Sequence, residues 1–251
     1  MTGPIHLHGS FLYAIVGGSG DRTYDCPGIG DAPVYAVSQG RLAAVVSELP
    51  DLKLRPERRH LAAHQAVLKK LMEETTPLPM TFGIIAAGAE EIRQILAVNQ
   101  EDLLEQLERV ADKVEMGLRV GWDVPNIFEY FVFTHPELRA ARDRLFNTSR
   151  EPTPADKVEL GRTFDRILQA DRAEQTQQVE AILSACCFEL KQNPPKHERE
   201  VMNLACLVGR KSPAEFEAGI FEAARLFDNH FVFNYNGPWA PHNFVQLDLK
   251  L

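Results

Sequence analysis

The chain has 251 residues, of which 45% are hydrophobic and 25% are charged, and its formal net charge at pH 7 is −8. This length permits two domains with cores of their own, and the composition is that of an ordinary soluble globular protein. The acidic balance argues against nucleic acid or an anionic membrane as the main partner. No apolar run reaches the roughly 18 residues of a membrane-spanning helix. We therefore expect a cytoplasmic protein with no membrane or nucleic-acid partner.

Residues 1–112 are predicted to form a small N-terminal α+β domain. Apolar runs and period-two alternation indicate strands, whereas apolar residues that recur every three or four positions indicate helices. The predicted elements are, in order, strands at 11–17, 34–38 and 42–46, a helix opened by Pro56, a strand at 78–86 and one helix from about 89 to 110. In the last of these strands, Pro79 indicates an edge position, and Gly83 indicates a bulge or a close backbone approach.

Three features of the sequence could belong to a small-ligand or metal site. The Gly-rich turn at 17–20 follows a strand, as phosphate loops do, but prolines and turn signals follow it instead of a helix N-terminus. His60 and His64 are four residues apart, but no third ligand lies nearby, so an exposed pair or a histidine at the core edge is favoured. The four cysteines lack metal-binding spacing and are expected to be small buried side chains in a reducing cytosol: Cys26, Cys186, Cys187 and Cys206.

Residues 113–237 are predicted to form a modified ferredoxin-like domain with an enlarged helical crossover. The predicted order is a strand at 114–122, helices at 128–146 and 155–185, strands at 186–191 and 201–208, a helix after Ser212 and a strand at 230–236. In the strand at 186–191, Cys186, Phe188 and Leu190 are expected to point inward. Because residues 169–178 are almost wholly polar, the helices are expected to protrude into solvent there as a hairpin.

Residues 238–251 are predicted to form a C-terminal tail that packs back at the domain junction. The tail begins with a Pro-rich corner at 237–241, which should be too stiff for the interior of a strand or a helix. Beyond it, alternating apolar residues at 245–251 predict a half-buried strand. Trp239 is expected to fill a gap between packing layers and to help lock the two domains together. The alternative is that this corner is a docking surface for another protein.

No catalytic, cofactor or metal motif occurs in the chain. Serine-hydrolase, zinc-protease and Walker A patterns are absent, and the carboxylates on the predicted helices have the spacing of solvent-facing side chains. The sequence therefore predicts a protein that is not an enzyme, with no catalytic residues, no cofactor and no metal.

Three stretches, at these separations, resemble the GvpF/GvpL family of gas vesicle proteins. They are Phe11–Val16 followed by Gly40–Ser47, then Pro77–Gly83, and finally Gly237–Val245. The resemblance extends in order over essentially the whole chain. The chain departs from the family pattern at Thr81, where the family usually has Arg, and at Ala240 and His242, where the family usually has Pro and Tyr. Any role that depends on those family side chains is in doubt here.

The resemblance implies an accessory protein of gas vesicles, the gas-filled flotation organelles of aquatic prokaryotes. Such a protein would bind the small hydrophobic shell protein, assist assembly of the wall, and localise to the cytoplasm and the gas vesicle. The resemblance is also compatible with a minor wall component on the gas-facing side, and with other accessory proteins as partners. The residues implied in structure or partner binding are Pro79, Phe82, Gly83, Gly237, Pro238, Trp239, Pro241, Asn243 and Phe244.

Two alternatives to shell-protein binding remain open at this point. The first is a small-ligand-binding protein or an enzyme on the ferredoxin-like half, for which the only sequence support is the glycine turn and the histidines. The second is a scaffold that contacts other accessory proteins and never touches the shell protein.

Overall fold

The computed structural model describes residues 9–50, 54–147, 150–247 and 249–250. The described residues form two compact units. The N-terminal unit comprises Met1–Glu115, Gly209–Lys211 and Pro238–Leu251, and the C-terminal unit comprises Met116–Val208 and Ser212–Gly237. The sequence-based boundaries lay at 112/113 and 237/238. The mixed α+β class predicted from the sequence is confirmed.

The N-terminal unit is built on an antiparallel sheet around strand β1. Its strands are β1 (Gly9–Gly17), β2 (Thr23–Pro27), β3 (Pro33–Gln39), β4 (Leu42–Leu49), β5 (Leu78–Pro79) and β6 (Ile85–Ala86). The order is β2-β3-β4-β1-β5, and β6 also pairs with β1. Strand β2 was not predicted, because its residues alternate only weakly and include a proline. The single predicted strand at 78–86 is instead two short strands on one edge of β1.

Strand β1 is central because its apolar run can be buried on both faces. Eight of its nine residues are buried. Its pairing with β4 shifts register between Leu12 and Ala14, which marks a bulge at Tyr13. The Tyr13 hydroxyl lies 2.7 Å from Ser47 Oγ and accepts a hydrogen bond from the Ile29 amide at 2.8 Å. The phenol is therefore buried with its hydrogen-bonding capacity used.

The helices of this unit are α1 (Arg58–Met72), α2 (Ala89–Val98) and α3 (Gln100–Val110). The prediction of one helix from 89 to 110 is wrong, because the backbone leaves helical geometry at Asn99 (φ −103°, ψ 14°). The buried Asn99 amide donates to Ile95 O at 2.7 Å. It also exchanges hydrogen bonds with the backbone of Lys250 at 2.9 and 3.0 Å. The break thus forms where a C-terminal residue, distant in sequence, supplies partners for the Asn side chain.

The C-terminal unit contains a four-stranded sheet with helices inserted in its first crossover. Its elements begin with β7 (Lys113–Trp122), which starts in the N-terminal unit, and end with β10 (Phe231–Trp239). Between them lie α4 (Ile127–Thr134), α5 (Pro136–Phe146), α6 (Pro154–Leu183), β8 (Glu189–Asn193), β9 (Glu200–Gly209) and α7 (Pro213–Ala224). The sheet order β10-β7-β9-β8 is the ferredoxin-like order, and α4 to α6 form the enlarged crossover. The predicted helix at 128–146 is two helices that meet at Pro136.

The expectation that residues 169–178 protrude into solvent is wrong. In the middle of α6, the Arg172 guanidinium donates to Glu200 O at 2.9 Å and to Glu198 O at 2.7 Å. It also lies 5.8 Å from the centre of the Trp122 ring, and Thr176, one turn later, is buried. Polar side chains that satisfy backbone carbonyls can pack without an apolar stripe, and the sequence pattern does not show which ones do.

The predicted strand at 186–191 begins later, at Glu189. Cys186 and Cys187 lie in the turn after α6, and the Phe188 side chain, expected to point inward, is 66% exposed. The tail strand predicted at 245–251 is also wrong for the residues that the structure describes, which are 245–247, 249 and 250. Residues 248 and 251 of that prediction lie outside the described residues.

Candidate functional site

The N-terminal unit brings side chains from all three family-like stretches into one buried cluster. Phe11 and Tyr13 of β1, Phe82 of the loop between β5 and β6, and Ala240 of the C-terminal corner belong to the same hydrophobic core. The ring centroids of Phe11 and Tyr13 are 4.9 Å apart, and those of Phe11 and Phe82 are 5.4 Å apart. Stretches that are far apart in sequence thus meet around β1.

The segment from Pro79 to Ile85 is held along β1 at both ends. Pro79 pairs with Ala14 on the sheet edge, as its residue type predicted, and the Met80 amide donates to Tyr13 O at 2.9 Å. The Leu12 amide donates to Ile84 O at 3.0 Å, so the intervening residues bulge away from the strand. Gly83 has a positive φ of 98°, but a Cβ added there would meet no atom within 4 Å. Backbone conformation, and not close approach, therefore requires glycine at this position.

Phe82 turns inward from this segment, while its neighbours face solvent. Thr81 and Gly83 are exposed, and the Ile84 side chain is 40% exposed. The segment therefore presents small and apolar side chains on an edge of the N-terminal unit.

His64 of α1 packs among the rings of Phe11, Tyr13 and Phe82. We call these four residues the aromatic cluster. The His64 ring lies 5.6 Å from Phe11 and Tyr13 and 5.8 Å from Phe82, centroid to centroid. The side chain is 2% exposed, and neither ring nitrogen makes a hydrogen bond of standard geometry among the described residues; the Met80 backbone is the polar group near enough to raise its pKa. Burial, reinforced by nearby His242, lowers the pKa of His64 to about 4. The imidazole is therefore neutral at physiological pH.

His60 and His64, although four residues apart on α1, have different surroundings. His60 Nδ1 lies 2.9 Å from Arg55 O, whereas His64 is buried in the core. No group of three or more His, Cys, Asp or Glu residues with suitable geometry occurs within residues 9–50, 54–147, 150–247 and 249–250. The apolar helix stripe on which His64 lies was the sequence signal for its burial.

The C-terminal corner, taken from here on as residues 237–244, is anchored by Glu115, which the sequence pattern did not single out. The buried Glu115 carboxylate accepts from the Asn243 backbone amide at 2.8 Å and from Asn243 Nδ2 at 2.6 Å. Charge-assisted hydrogen bonds of this kind are roughly twice as strong as neutral ones. Glu115 lies between two apolar residues of a strand, so nothing in the local pattern predicted that it would bind a residue 128 positions away.

Exposure within this corner differs from the sequence-based expectation. Strand β10 continues through Gly237 (φ 126°) and Pro238 to Trp239, although this segment was expected to lie outside any strand. Trp239 is 44% exposed and does not fill a gap in the core. Pro241 is buried, Ala240 is 2% exposed and Phe244 is fully buried. The apolar anchor of the corner is therefore Phe244.

We expect Asn243→Asp to destabilise the protein by about 2 kcal/mol at pH 7, because it places a second carboxylate against buried Glu115. Adding Glu115→Gln should recover part of the loss, since a neutral amide can donate to the new aspartate. Chemical denaturation of the two single variants and the double variant measures the coupling. If the free-energy losses of the two single variants simply add up in the double variant, the two side chains are not in direct contact.

The glycine turn at 17–20 borders a cavity of about 260 Å³ in the N-terminal unit. Its charged lining residues are paired with each other: Arg22 lies 2.8 Å from Glu74 and its guanidinium carbon is 4.4 Å from the Tyr24 ring centre. Strand β2, and not a helix, follows the turn. The cavity therefore lacks the helix N-terminus that a phosphate loop uses.

Cys186 and Cys187 of the C-terminal unit are neutral thiols. Cys186 Sγ and Cys187 Sγ are 4.0 Å apart, and Cys206 is buried. Burial raises the pKa of Cys186 to about 12, and hydrogen bonding to Cys206 raises the pKa of Cys187. Neutral thiols are poor nucleophiles, so this cluster has the properties of packing residues.

Among the described helices, none combines the length and the apolar character needed to cross a membrane.

Comparison with known proteins identifies the family. The family model described as gas vesicle synthesis protein GvpL/GvpF matches residues 9–246. The chain is 31% identical over 221 residues to gas vesicle protein F of Streptomyces sp. (strain CB03234), covering 87% of this chain and 91% of the relative. It is 25% identical over 251 residues to gas vesicle protein F of Dolichospermum flosaquae, covering 99% and 100%.

Two solved structures share the fold. The crystal structure of GvpF from Anabaena sp. PCC7120 superposes with a TM-score of 0.83 at 22% identity, over 96% of this chain and 99% of that one. GvpF from Microcystis aeruginosa gives a TM-score of 0.80 at 22% identity, over 95% and 99%. With the family match over nearly the whole described chain, the protein belongs to the GvpL/GvpF family of gas vesicle accessory proteins.

Proposed function

We propose that the chain binds the hydrophobic shell protein of the gas vesicle and assists its assembly into the wall. The observation that carries this proposal is the family match over residues 9–246. A shell subunit must expose apolar strands before it is incorporated, and such strands aggregate unless another protein occupies them. An accessory protein with accessible apolar surface can occupy them without any catalytic step or cofactor.

The chain has such surface in its C-terminal unit. Phe133 is 77% exposed, Phe188 is 66% exposed and Phe221 is 59% exposed. An exposed phenyl ring contributes little to folding, because it stays in contact with water in the free protein. It can stabilise a complex, because a partner that covers the ring removes it from water. The proposal extends to a place in the gas vesicle as a minor wall component on the gas-facing side, with other accessory proteins as additional partners.

Immobilised full-length chain is expected to retain shell protein dissolved from isolated vesicles, whereas an unrelated protein of similar net charge is not. Shell protein that passes both columns equally would contradict the proposal. Retention of other accessory proteins alone would favour the scaffold alternative. For the location, antibodies to the chain should label vesicles only after the vesicles are burst by pressure; labelling of intact vesicles would place the chain on the outer surface.

A further inference from the structure

Sheet edges expose unpaired backbone groups, and proteins commonly protect them with charges, prolines, bulges or short strands. In the N-terminal unit, edge strand β2 carries Asp25, shifts register after Tyr24 and ends at Pro27. The opposite edge is interrupted between Pro79 and Ile85. Both edges of this sheet therefore carry recognisable protection.

One edge of the C-terminal sheet is protected in the same way. Strand β8 has only five residues, and two of them are the charged Glu189 and Lys191. Two prolines follow it, at positions 194 and 195. A strand from another protein that approached this edge would meet only five residues, two of them charged.

The other edge, β10, has none of these features between Phe231 and Asn236, and its only protection lies near its end, at Gly237 and Pro238. It is nine residues long, from Phe231 to Trp239, and contains no Asp, Glu, Lys or Arg, although a quarter of the whole chain is charged. Its one pairing partner among the described residues is β7. Val232, Asn234, Tyr235 and Asn236 are all exposed. A long, uncharged and accessible edge is a site where another strand can add.

Aromatic side chains line this edge on the helix-covered face of the sheet. The Phe227 ring lies 5.0 Å from Phe231 and 5.1 Å from Phe233, centroid to centroid. All three rings are only partly buried. A strand paired along β10 would place alternate side chains against this row and bury more of its surface.

The opposite face of the sheet is flat beside β10. Strand β7 has glycines at 117 and 121, and a Cβ at Gly117 would lie 2.9 Å from Asn236 Oδ1. At Gly121, a Cβ would lie 3.8 Å from Val232 Cγ1. Because glycine occupies these positions, the Asn236 and Val232 side chains of β10 can lie close to the backbone of β7.

We propose that residues 231–237 of β10 are the docking edge at which an uncharged, apolar strand of the gas vesicle shell protein adds to the C-terminal sheet. The occupant follows from charge: no side chain of residues 231–237 is charged, and the carboxylate bound to this stretch in the described structure is Glu217, which accepts from the Tyr235 hydroxyl. A charged side chain of an added strand would lose hydration with little compensation, whereas apolar side chains have no charge to desolvate, and backbone groups are repaid by the new pairing. Backbone pairing supplies the affinity, and the row of Phe227, Phe231 and Phe233 selects apolar side chains. This inference rests on the proposed function, and it adds the site and the mode of binding.

Binding of full-length chain to synthetic peptides that cover the shell protein sequence tests the docking edge. We expect one apolar peptide to bind, to slow hydrogen exchange of amides within 231–237, and to lose binding when alternate peptide nitrogens are methylated. Asn234→Lys and Asn234→Asp should each weaken binding at least about tenfold, because either charge would be buried in the new pair. The control is Gln192→Lys, which adds the same charge to an exposed position of the other edge strand. Circular dichroism confirms that each variant folds.

The outcomes separate this inference from the proposed function. If the unmodified chain binds no shell peptide, both fail. If it binds and the Asn234 variants bind equally well, the docking edge is wrong and the proposed function stands. Opposite effects of Lys and Asp would show a charged occupant and overturn the inference. So would a dimer of the free chain that Asn234→Lys dissociates without changing peptide binding, since the occupant would then be a second copy.

Discussion

Phe244→Ala is expected to lower the free energy of unfolding by about 3–5 kcal/mol, the usual cost of removing a fully buried phenyl ring. Phe244 is 0% exposed, and it ends the short 3₁₀ helix His242–Phe244, in which its amide donates to Pro241 O at 3.1 Å. Truncation would leave a cavity that this constrained turn cannot collapse to fill. Urea denaturation of the purified variant measures the loss.

The informative control is Trp239→Ala in the same corner. Because the Trp239 side chain is 44% exposed, its removal should cost less than half as much, although tryptophan is the larger residue. Phe244→Leu, which keeps most of the volume, should cost about 1–1.5 kcal/mol. A greater loss for Trp239→Ala than for Phe244→Ala would restore the sequence-based interpretation of the tryptophan as the structural anchor.

Trp239→Ala also tests partner binding. If the variant binds the shell protein more weakly but keeps its free energy of unfolding, Trp239 belongs to the docking surface. If binding and the free energy of unfolding fall together, the contribution of Trp239 is structural.

The stability of the protein should fall by about 3 kcal/mol between pH 6.5 and pH 4 through His64 alone. The native pKa of about 4 lies below the ordinary value of 6.5, so the unfolded chain binds the proton more tightly. The stabilisation is complete above about pH 6.5 and is lost as the pH falls towards 4, where the native histidine also becomes protonated. The difference in pKa corresponds to about 3 kcal/mol.

His64→Leu should remove this component, because leucine has a similar volume and does not titrate. The other titratable groups facing His64 are Tyr13, which burial keeps neutral, and His242. His60→Gln is the matched control, since His60 lies one turn earlier on α1 and contacts Arg55 O. Denaturation at pH 7 and pH 5 compares the variants. An unchanged pH slope in His64→Leu would show that His64 is not the group responsible.

Much of the strand framework was predictable because strands with strong local patterns keep them in the fold. The apolar runs at 11–17 and 201–208 became the buried strands β1 and β9, and the alternation at 114–122 became β7. Each of these segments carries enough apolar surface to require burial wherever the chain folds. By contrast, β2 has one weakly alternating stretch with a proline, and its pairing with β3 depends on tertiary context.

The sequence indicated which stretches contribute residues to the candidate site more successfully than it indicated what each residue does there. Phe82 and Ala240 were both in family-like stretches, and the structure places them in one core. The fully buried aromatic residue is Phe244, whereas Trp239 is 44% exposed, because a corner can turn either aromatic inward and the sequence does not specify which. Glu115 was missed, since a carboxylate within a strand has no local pattern that indicates a buried partner.

The sequence by itself determined the α+β class and the family, because both depend on the order and type of residues along the chain. Only the tertiary structure decided that His64 is a buried, neutral imidazole, that Asn99 divides a helix, and that Asn243 binds Glu115. The physical reason is that burial and hydrogen bonding depend on what lies opposite a side chain. Those partners come from residues as far as 151 positions away, as for Asn99 and Lys250.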